Sequence, residues 1–172
     1  GGSSDSFIPP AFARAKKAGV LLIVAAGNEA GRVSFPGAYP EAFAISAIDK
    51  NRALANFSNR GPEVRATGPG VNVRSTYPGA GDGLFADMSG TSMACPNIAG
   101  VAALWCQADV LAGGDKKTRP DRFDAWLKAT GKPKTEGCTP VISVQLPALS
   151  RLMKMPLWCW HQSRSGSEGA RT

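Results

Sequence analysis

The sequence predicts an α/β domain built on a mostly parallel sheet flanked by helices. Residues 20–24 form a continuous apolar run, which is typical of a strand buried on both faces of a parallel sheet. A helical pattern of apolar residues precedes that run over residues 7–18, and a second extends from about residue 92 to residue 107. Apolar strands that alternate with helices favour parallel strands joined by crossover helices.

The predicted elements follow one another along the chain. The first helix ends at Gly19, which supplies a C-terminal cap. Strands are expected at about 20–25 and 42–48, and short extended pieces near 64–66 and 71–74. Beyond a loop at 112–114, we expect a helix over 120–130, a closing strand at 140–144 and a helix at 147–153. Residues 154–172 have the composition of a disordered tail.

Hydropathy and charge exclude two classes of partner. No apolar run approaches the roughly 20 residues needed to cross a bilayer, so no membrane is expected. The net charge of +7 lies mainly in residues 112–172, where eleven Lys and Arg face five acids. A nucleic-acid surface would interleave aromatic residues with these cations, whereas here the cations flank a helical pattern. A solvated helix face explains them better, and no nucleic-acid partner is expected.

Residues 89–100 form a small-residue turn that delivers Ser92 to the start of an apolar helix. Gly90 lets the backbone approach a substrate, and Pro96 suits the first helical turn. The helix N-terminus offers unpaired N–H groups and positive dipole character to an anion formed beside the hydroxyl. This pattern fits a nucleophilic serine, but a serine that only caps the helix is the commoner use of such a position.

Asn28 follows the first apolar run, in the loop Ala25-Ala26-Gly27-Asn28-Glu29. Active sites of open α/β sheets lie at the carboxyl ends of the strands. The alternative is a turn residue, because asparagine tolerates left-handed backbone geometry.

These two segments together resemble the subtilisin-like serine proteases, the subtilases of peptidase family S8. Ala25 to Glu29 is similar to the oxyanion-hole segment of that family, and Gly90-Thr91-Ser92-Met93-Ala94 to its nucleophile segment. Residues 35–40, 53–62 and 66–70 keep the family's order and spacing. The match is clear to about residue 108 and loose after 112. Residues 1–153 are therefore interpreted as the C-terminal portion of a catalytic domain, with part of the family's three-layer fold.

The resemblance implies a role for each matching residue. Ser92 would attack the peptide carbonyl, while Asn28 and the backbone N–H of Ser92 would bind the oxyanion. The walls of the specificity pocket would be Gly1 and Gly2 on one side and Ala25, Ala26 and Gly27 on the other. Glu29 would lie near the rim. Small walls suit a large apolar side chain and Glu29 suits a basic one, so the substrate is a protein or peptide of undecided preference.

Two parts of the catalytic apparatus are missing from the sequence. The family order is Asp, His, Ser, yet the only acid before Asn28 is Asp5 and the only histidine is His161 in the tail. The chain is interpreted as a serine endopeptidase fragment, inactive alone, whose partner is the missing N-terminal half of the domain. A non-catalytic peptide-binding pseudoprotease and another type of serine hydrolase are the alternatives. The last lacks support because no second glycine completes Gly-x-Ser-x-Gly.

No cofactor is expected, and no metal. Arg65 stands near the position where some subtilases place a cation-binding acid beside Glu63, and its guanidinium could take the ion's electrostatic role. Calcium in the complete domain is left open. Cys95 is expected to pack, and a Cys138–Cys159 disulfide is left open. The resemblance also implies a monomer, secreted from the cell.

Overall fold

The computed structural model describes residues 2–78 and 84–131. Within them the chain forms three helices, one 3-10 turn and five strands. In chain order these are α1 (Ile8–Lys17), β1 (Leu22–Ala25), β2 (Ala42–Ile48), β3 (Val64–Pro69), β4 (Val73–Thr76), β5 (Phe85–Met88), α2 (Thr91–Leu111), the 3-10 turn Lys116–Thr118 and α3 (Arg119–Thr130).

A three-stranded parallel sheet with the order β1, β2, β3 forms the centre of the described structure. The middle strand β2 is buried along its whole length. Successive strand residues face opposite sides, so Phe43 and Ile45 join one apolar cluster while Ala44 joins another. Strands β4 and β5 form a separate antiparallel pair. The α/β class with a mostly parallel sheet and flanking helices is confirmed.

Helices α2 and α3 cover one face of the sheet through an aromatic cluster. The Phe123 ring lies 5.3 Å from that of Phe43 and 5.1 Å from that of Trp105, measured between centroids. Phe123 and Leu127 are fully buried. Burying each such side chain contributes about 1.5–3 kcal/mol, which fixes α2 against the sheet and hence the position of its N-terminus.

Several element boundaries differ from expectation. Gly19 has φ +79° and caps α1 as predicted, with its N–H donating to Lys16 O. Phe7 and Val20, however, are 84% and 45% exposed, so neither belongs to a buried face. The prediction that residues 20–24 are buried on both faces is wrong for the described structure, because β1 lies at the edge of the sheet and is only half-buried.

The later strands also differ from the prediction in length or position. β3 runs to Pro69, and β4 is shifted two residues from the predicted piece at 71–74. β5 was not predicted, since residues 85–88 lack a clear alternating pattern. The closing strand, the final helix and the tail, predicted at 140–144, 147–153 and 154–172, lie outside the described residues.

Candidate active site

The N-terminus of α2 presents Ser92 at the surface. The helix begins at Thr91, and Ser92 is its second residue, exposed to solvent. Gly90 precedes the helix and its N–H donates to the carbonyl of Gly70, 2.8 Å away, just beyond β3. A Cβ on Gly70 would lie 2.8 Å from the Gly90 oxygen, so this close approach requires glycine. The hypothesis that Ser92 merely caps the helix is wrong, because the cap position belongs to Gly90.

Asn28 lies in the loop after β1 and is bound to the start of α2. Its Oδ1 accepts two hydrogen bonds from Thr91, one from the backbone N–H at 2.8 Å and one from the hydroxyl at 2.9 Å. Thr91 is fully buried, and its Oγ1 also accepts from the N–H of Gly27 at 3.1 Å. Because Thr91 occupies Oδ1, the amide can interact with a ligand through Nδ2, which is a hydrogen-bond donor.

Asn28 Nδ2 and the backbone nitrogen of Ser92 border one space beside Gly90. A Cβ built on Gly90 would lie 3.6 Å from Nδ2 and 3.7 Å from Ser92 N. The N–H of Ser92 belongs to the first turn of α2, where backbone donors have no intrahelical acceptor. Two converging donors and the positive end of a helix are the features that stabilise a developing oxyanion.

Thr91 and Asn59 take part in this arrangement, although the sequence did not single them out. Thr91 belongs to the segment around Ser92 that resembles the family's nucleophile segment. Asn59, fully buried, lies within residues 53–62, which also resemble the family. A buried polar residue needs hydrogen-bond partners, but sequence alone does not say which segment supplies them.

The predicted walls of the specificity pocket lie near the same loop. Ala25 ends β1 and pairs with Ile45. Ala26 is fully buried; its N–H donates to Ile45 O and its carbonyl accepts from Ser34 N. On the other side, the N–H of Gly2 donates to Phe35 O at 3.0 Å, and Gly1 lies outside the described residues.

Glu29 is fixed beside Asn28 by hydrogen bonds to its carboxylate. Asn59 Nδ2 donates to Glu29 Oε2 at 2.6 Å, and Ser34 Oγ donates to the same oxygen at 3.2 Å. The bond from Asn59 is the main cause of a pKa for Glu29 below its ordinary value. Glu29 is therefore ionised and presents a negative charge at neutral pH.

Cys95 and Pro96 occupy the second turn of α2. The Cys95 thiol donates to the carbonyl oxygen of Ile23 at 3.5 Å, so the sulfur faces β1, and burial raises its pKa. These contacts agree with the predicted packing role.

Pro96 is the sixth residue of the helix, not part of its first turn as predicted. Proline has no N–H, so it cannot donate the helical hydrogen bond to the carbonyl of Ser92, four residues earlier.

Asp5, the only acid before Asn28 in the sequence, is bound to Tyr39 and not to the residues around Ser92. Asp5 is held by Tyr39: its N–H donates to the phenol oxygen at 2.9 Å, and its carbonyl accepts from the phenol at 3.0 Å. Its carboxylate accepts from Phe7 N. His161 lies outside the described residues, as do Cys138 and Cys159.

Arg65, whose guanidinium was predicted to take the electrostatic role of a cation near Glu63, forms an ion pair in the structure. Its guanidinium pairs with Asp124 of α3 at 3.5 Å, so its charge also supports the packing of that helix. Across residues 2–78 and 84–131, no three His, Cys, Asp or Glu side chains converge in a way that could hold a metal ion. That no metal binds remains a prediction.

The family model for the subtilase family matches residues 1–131, which is most of the chain. The chain belongs to the subtilase family. The Asn28 and Ser92 segments that face each other in the structure both lie within the matched region.

Curated relatives carry protease names. This subtilase chain is 47% identical over 103 residues to a thermostable alkaline protease of Halalkalibacterium halodurans, covering 59% of the chain and 28% of the relative. It is 44% identical over 103 residues to Subtilisin Savinase of Lederbergia lenta, covering 59% of the chain and 37% of the relative. The chain thus spans well under half the length of these two relatives.

Solved structures agree with the fold. The prenylagaramide maturation protease PagA superimposes with a TM-score of 0.73 at 25% identity, over 88% of this chain and 57% of that one. A mutant of the protease domain of PatA gives a TM-score of 0.73 at 27% identity, over 88% and 55%. In the described part of the subtilase chain, none of the helices is both long enough and apolar enough to cross a bilayer.

Proposed function

We propose that this chain is the C-terminal portion of the catalytic domain of a serine endopeptidase. The observation that supports it best is the double hydrogen bond from Thr91 to Asn28 Oδ1, which leaves Nδ2 to act beside the N–H of Ser92. A protein that only binds peptides has no need for a paired oxyanion donor and an exposed serine.

In the proposed mechanism, the Ser92 hydroxyl attacks the carbonyl carbon of a peptide bond. Its proton passes to a histidine supplied by the upstream half of the domain, which an aspartate from the same half orients. The carbonyl oxygen becomes an oxyanion that accepts hydrogen bonds from Asn28 Nδ2 and Ser92 N–H. The C–N bond then breaks, the histidine gives its proton to the leaving amine, and water hydrolyses the acyl-enzyme.

The substrate is proposed to be a protein or peptide that contacts the loop Ala25 to Glu29. The anchored carboxylate of Glu29 places a negative charge next to the oxyanion donors, which favours a basic side chain at the neighbouring substrate position. The small residues Ala25 and Gly27 would admit a large apolar one. The family resemblance supports a monomeric enzyme outside the cell.

The test begins with the coding sequence upstream of Gly1. An in-frame Asp-x-Gly and a His-Gly-Thr segment are expected there, and a start codon near Gly1 would favour the pseudoprotease. The complete domain should hydrolyse casein and be labelled by a fluorophosphonate, and Ser92→Ala should abolish both. Cleavage that survives Ser92→Ala would overturn the proposal. The 172-residue chain alone should show no turnover, because residues 2–78 and 84–131, which the structure describes, contain no histidine to act as the base.

A further inference from the structure

One buried side chain holds both ends of the loop that carries Asn28. Asn59 Oδ1 accepts hydrogen bonds from the backbone N–H groups of Glu29, at 2.9 Å, and Gly31, at 3.0 Å. Its Nδ2 donates to the carbonyl of Ala26 at 3.1 Å, and its own N–H donates to Gly27 O at 3.0 Å. The residues on either side of Asn28 are therefore fixed by Asn59.

The same carboxamide also reaches the side chains beside the loop. Nδ2 approaches Glu29 Oε2 at 2.6 Å and Ser34 Oγ at 3.0 Å. Gly27 has φ +108°, and a Cβ there would overlap Nδ2 of Asn59. Glycine is required at this position both by its backbone conformation and by the amide that packs against it.

The neighbouring residue Ser58 shows that burial alone does not produce this pattern. Ser58 is also fully buried, but its hydroxyl accepts from the N–H of Ala47 in the middle strand β2. It also donates to the backbone oxygen of Asn59 at 3.3 Å, so one of its hydrogen bonds supports the sheet and neither involves the loop that carries Asn28. Those of the Asn59 side chain converge on residues 26–34, around Asn28.

We propose that Asn59 is a positioning residue for the oxyanion hole. Its carboxamide fixes the peptide groups on both sides of Asn28, while Thr91 fixes the Asn28 side chain, so that Nδ2 stays where the oxyanion forms. Donors held in place before reaction need no reorganisation in the transition state, and a displacement of about 1 Å can cost roughly 10²-fold in rate. This inference rests on the proposed endopeptidase function.

The first experiment compares Asn59→Ala with Ser58→Ala in the complete catalytic domain, using a chromogenic peptide. Asn59→Ala should lower kcat by about 10- to 100-fold with KM nearly unchanged, because the loop supports the transition state more than the bound substrate. Ser58→Ala also removes a buried hydrogen bond, yet it should keep kcat within about twofold of the parent. Urea unfolding of each variant reports its stability separately.

Asn59→Asp provides a second readout that a purely structural role would not produce. It keeps the oxygen that accepts from Glu29 N and Gly31 N, but it places a carboxylate oxygen against Glu29 Oε2. Two adjacent carboxylates cannot both ionise easily, so one of them takes up a proton at a higher pH than usual. Once protonated, that group can donate a hydrogen bond where the amide did. The kcat of this variant, divided by that of the parent, should therefore rise as the pH falls from 9 to 6.

Adding Glu29→Gln to Asn59→Asp removes the carboxylate pair and should abolish that pH dependence. The proposal is overturned if Asn59→Ala reduces kcat no more than Ser58→Ala does. It is also overturned if the relative kcat of Asn59→Asp does not change with pH, a measurement that remains available if Asn59→Ala does not fold. Failure of the proposed function looks different: the parent domain would be inactive, or its activity would survive Ser92→Ala.

Discussion

Asn28 and Thr91 are joined by two hydrogen bonds that end on a single oxygen. Asn28 Oδ1 accepts from both the backbone N–H and the hydroxyl of Thr91, at 2.8 and 2.9 Å. An amide flipped by 180° would place its NH₂ group against those two donors, so the observed orientation is strongly preferred. The loop after β1 and the first turn of α2 are thereby coupled, and the donor Nδ2 is directed by a neighbour of Ser92, the proposed nucleophile.

The first prediction concerns the donor itself. In the complete domain, Asn28→Leu should lower kcat by about 10²–10³, the size established for an oxyanion donor of a subtilisin, with little change in KM. The amide interacts mainly with the oxyanion and hardly with the ground-state carbonyl. Steady-state kinetics would check this, with Asn51→Leu in the exposed turn after β2 as the control. An equal rise in KM and unchanged kcat would assign Asn28 to substrate binding instead.

Thr91→Val tests the group that orients Asn28. Valine keeps the shape of the side chain but removes the hydroxyl, so Asn28 Oδ1 loses one of two donors and Gly27 N–H loses its acceptor. We expect kcat to fall by about 3- to 10-fold and the free energy of unfolding by about 1–3 kcal/mol. Thr130→Val, whose hydroxyl donates to Trp126 O at the end of α3, should leave kcat unchanged. Identical kcat in both variants would argue against the orienting role.

Gly90→Ala tests whether the space between the two donors is used. Gly90 has φ 162°, an extended conformation open to any residue, and an added Cβ meets neighbours at ordinary contact distances. The domain should therefore fold. The methyl group would nevertheless crowd an oxygen that must approach both donors to about 2.7–3.1 Å, and kcat should fall by about tenfold or more.

Gly100→Ala is the matched control for this substitution. Gly100 lies within α2, the helix that Gly90 precedes, and a Cβ there meets nothing within 4 Å. Alanine in a helix interior is favoured over glycine by about 1 kcal/mol, so this variant should keep its activity and gain some stability. If Gly90→Ala were as active as Gly100→Ala, the oxyanion would have to bind elsewhere.

The sequence predicted the elements that follow local rules and missed those that depend on distant partners. Strand β2 and the C-terminal cap at Gly19 agree with expectation because apolar runs and left-handed glycines act locally. Among the residues that the structure describes, β1 lies at the edge of the sheet, a position that depends on strand order and is not encoded by periodicity. Of the residues at the candidate site, Ser92 and Asn28 were predicted from the segments that contain them. Asn59 was missed because its partners lie 25 to 33 residues away.

The last prediction concerns the ion pairs that connect α2 to α3. Asp109 accepts hydrogen bonds from Arg119 Nε at 3.3 Å and from Arg122 Nη2 at 2.7 Å. Burial of this carboxyl raises its pKa, but the hydrogen bonds and charges of the two arginines outweigh that effect and hold the pKa below its ordinary value. Asp109→Asn should therefore lower the free energy of unfolding at pH 7.

The lowered pKa of Asp109 determines how the stability difference between the parent and Asp109→Asn changes with pH. A carboxyl whose pKa is lower in the folded state stabilises the fold above its unfolded pKa of about 3.9, and that stabilisation disappears as pH falls through the folded value. The difference between the parent and Asp109→Asn should thus be full at pH 7 and shrink toward pH 3, as measured by urea unfolding. Asp121→Asn, an exposed acid in the first turn of α3, should show a much smaller difference. A difference for Asp109→Asn that grew on acidification would mean that burial dominates the pKa, and that the arginines do not stabilise the junction through charge.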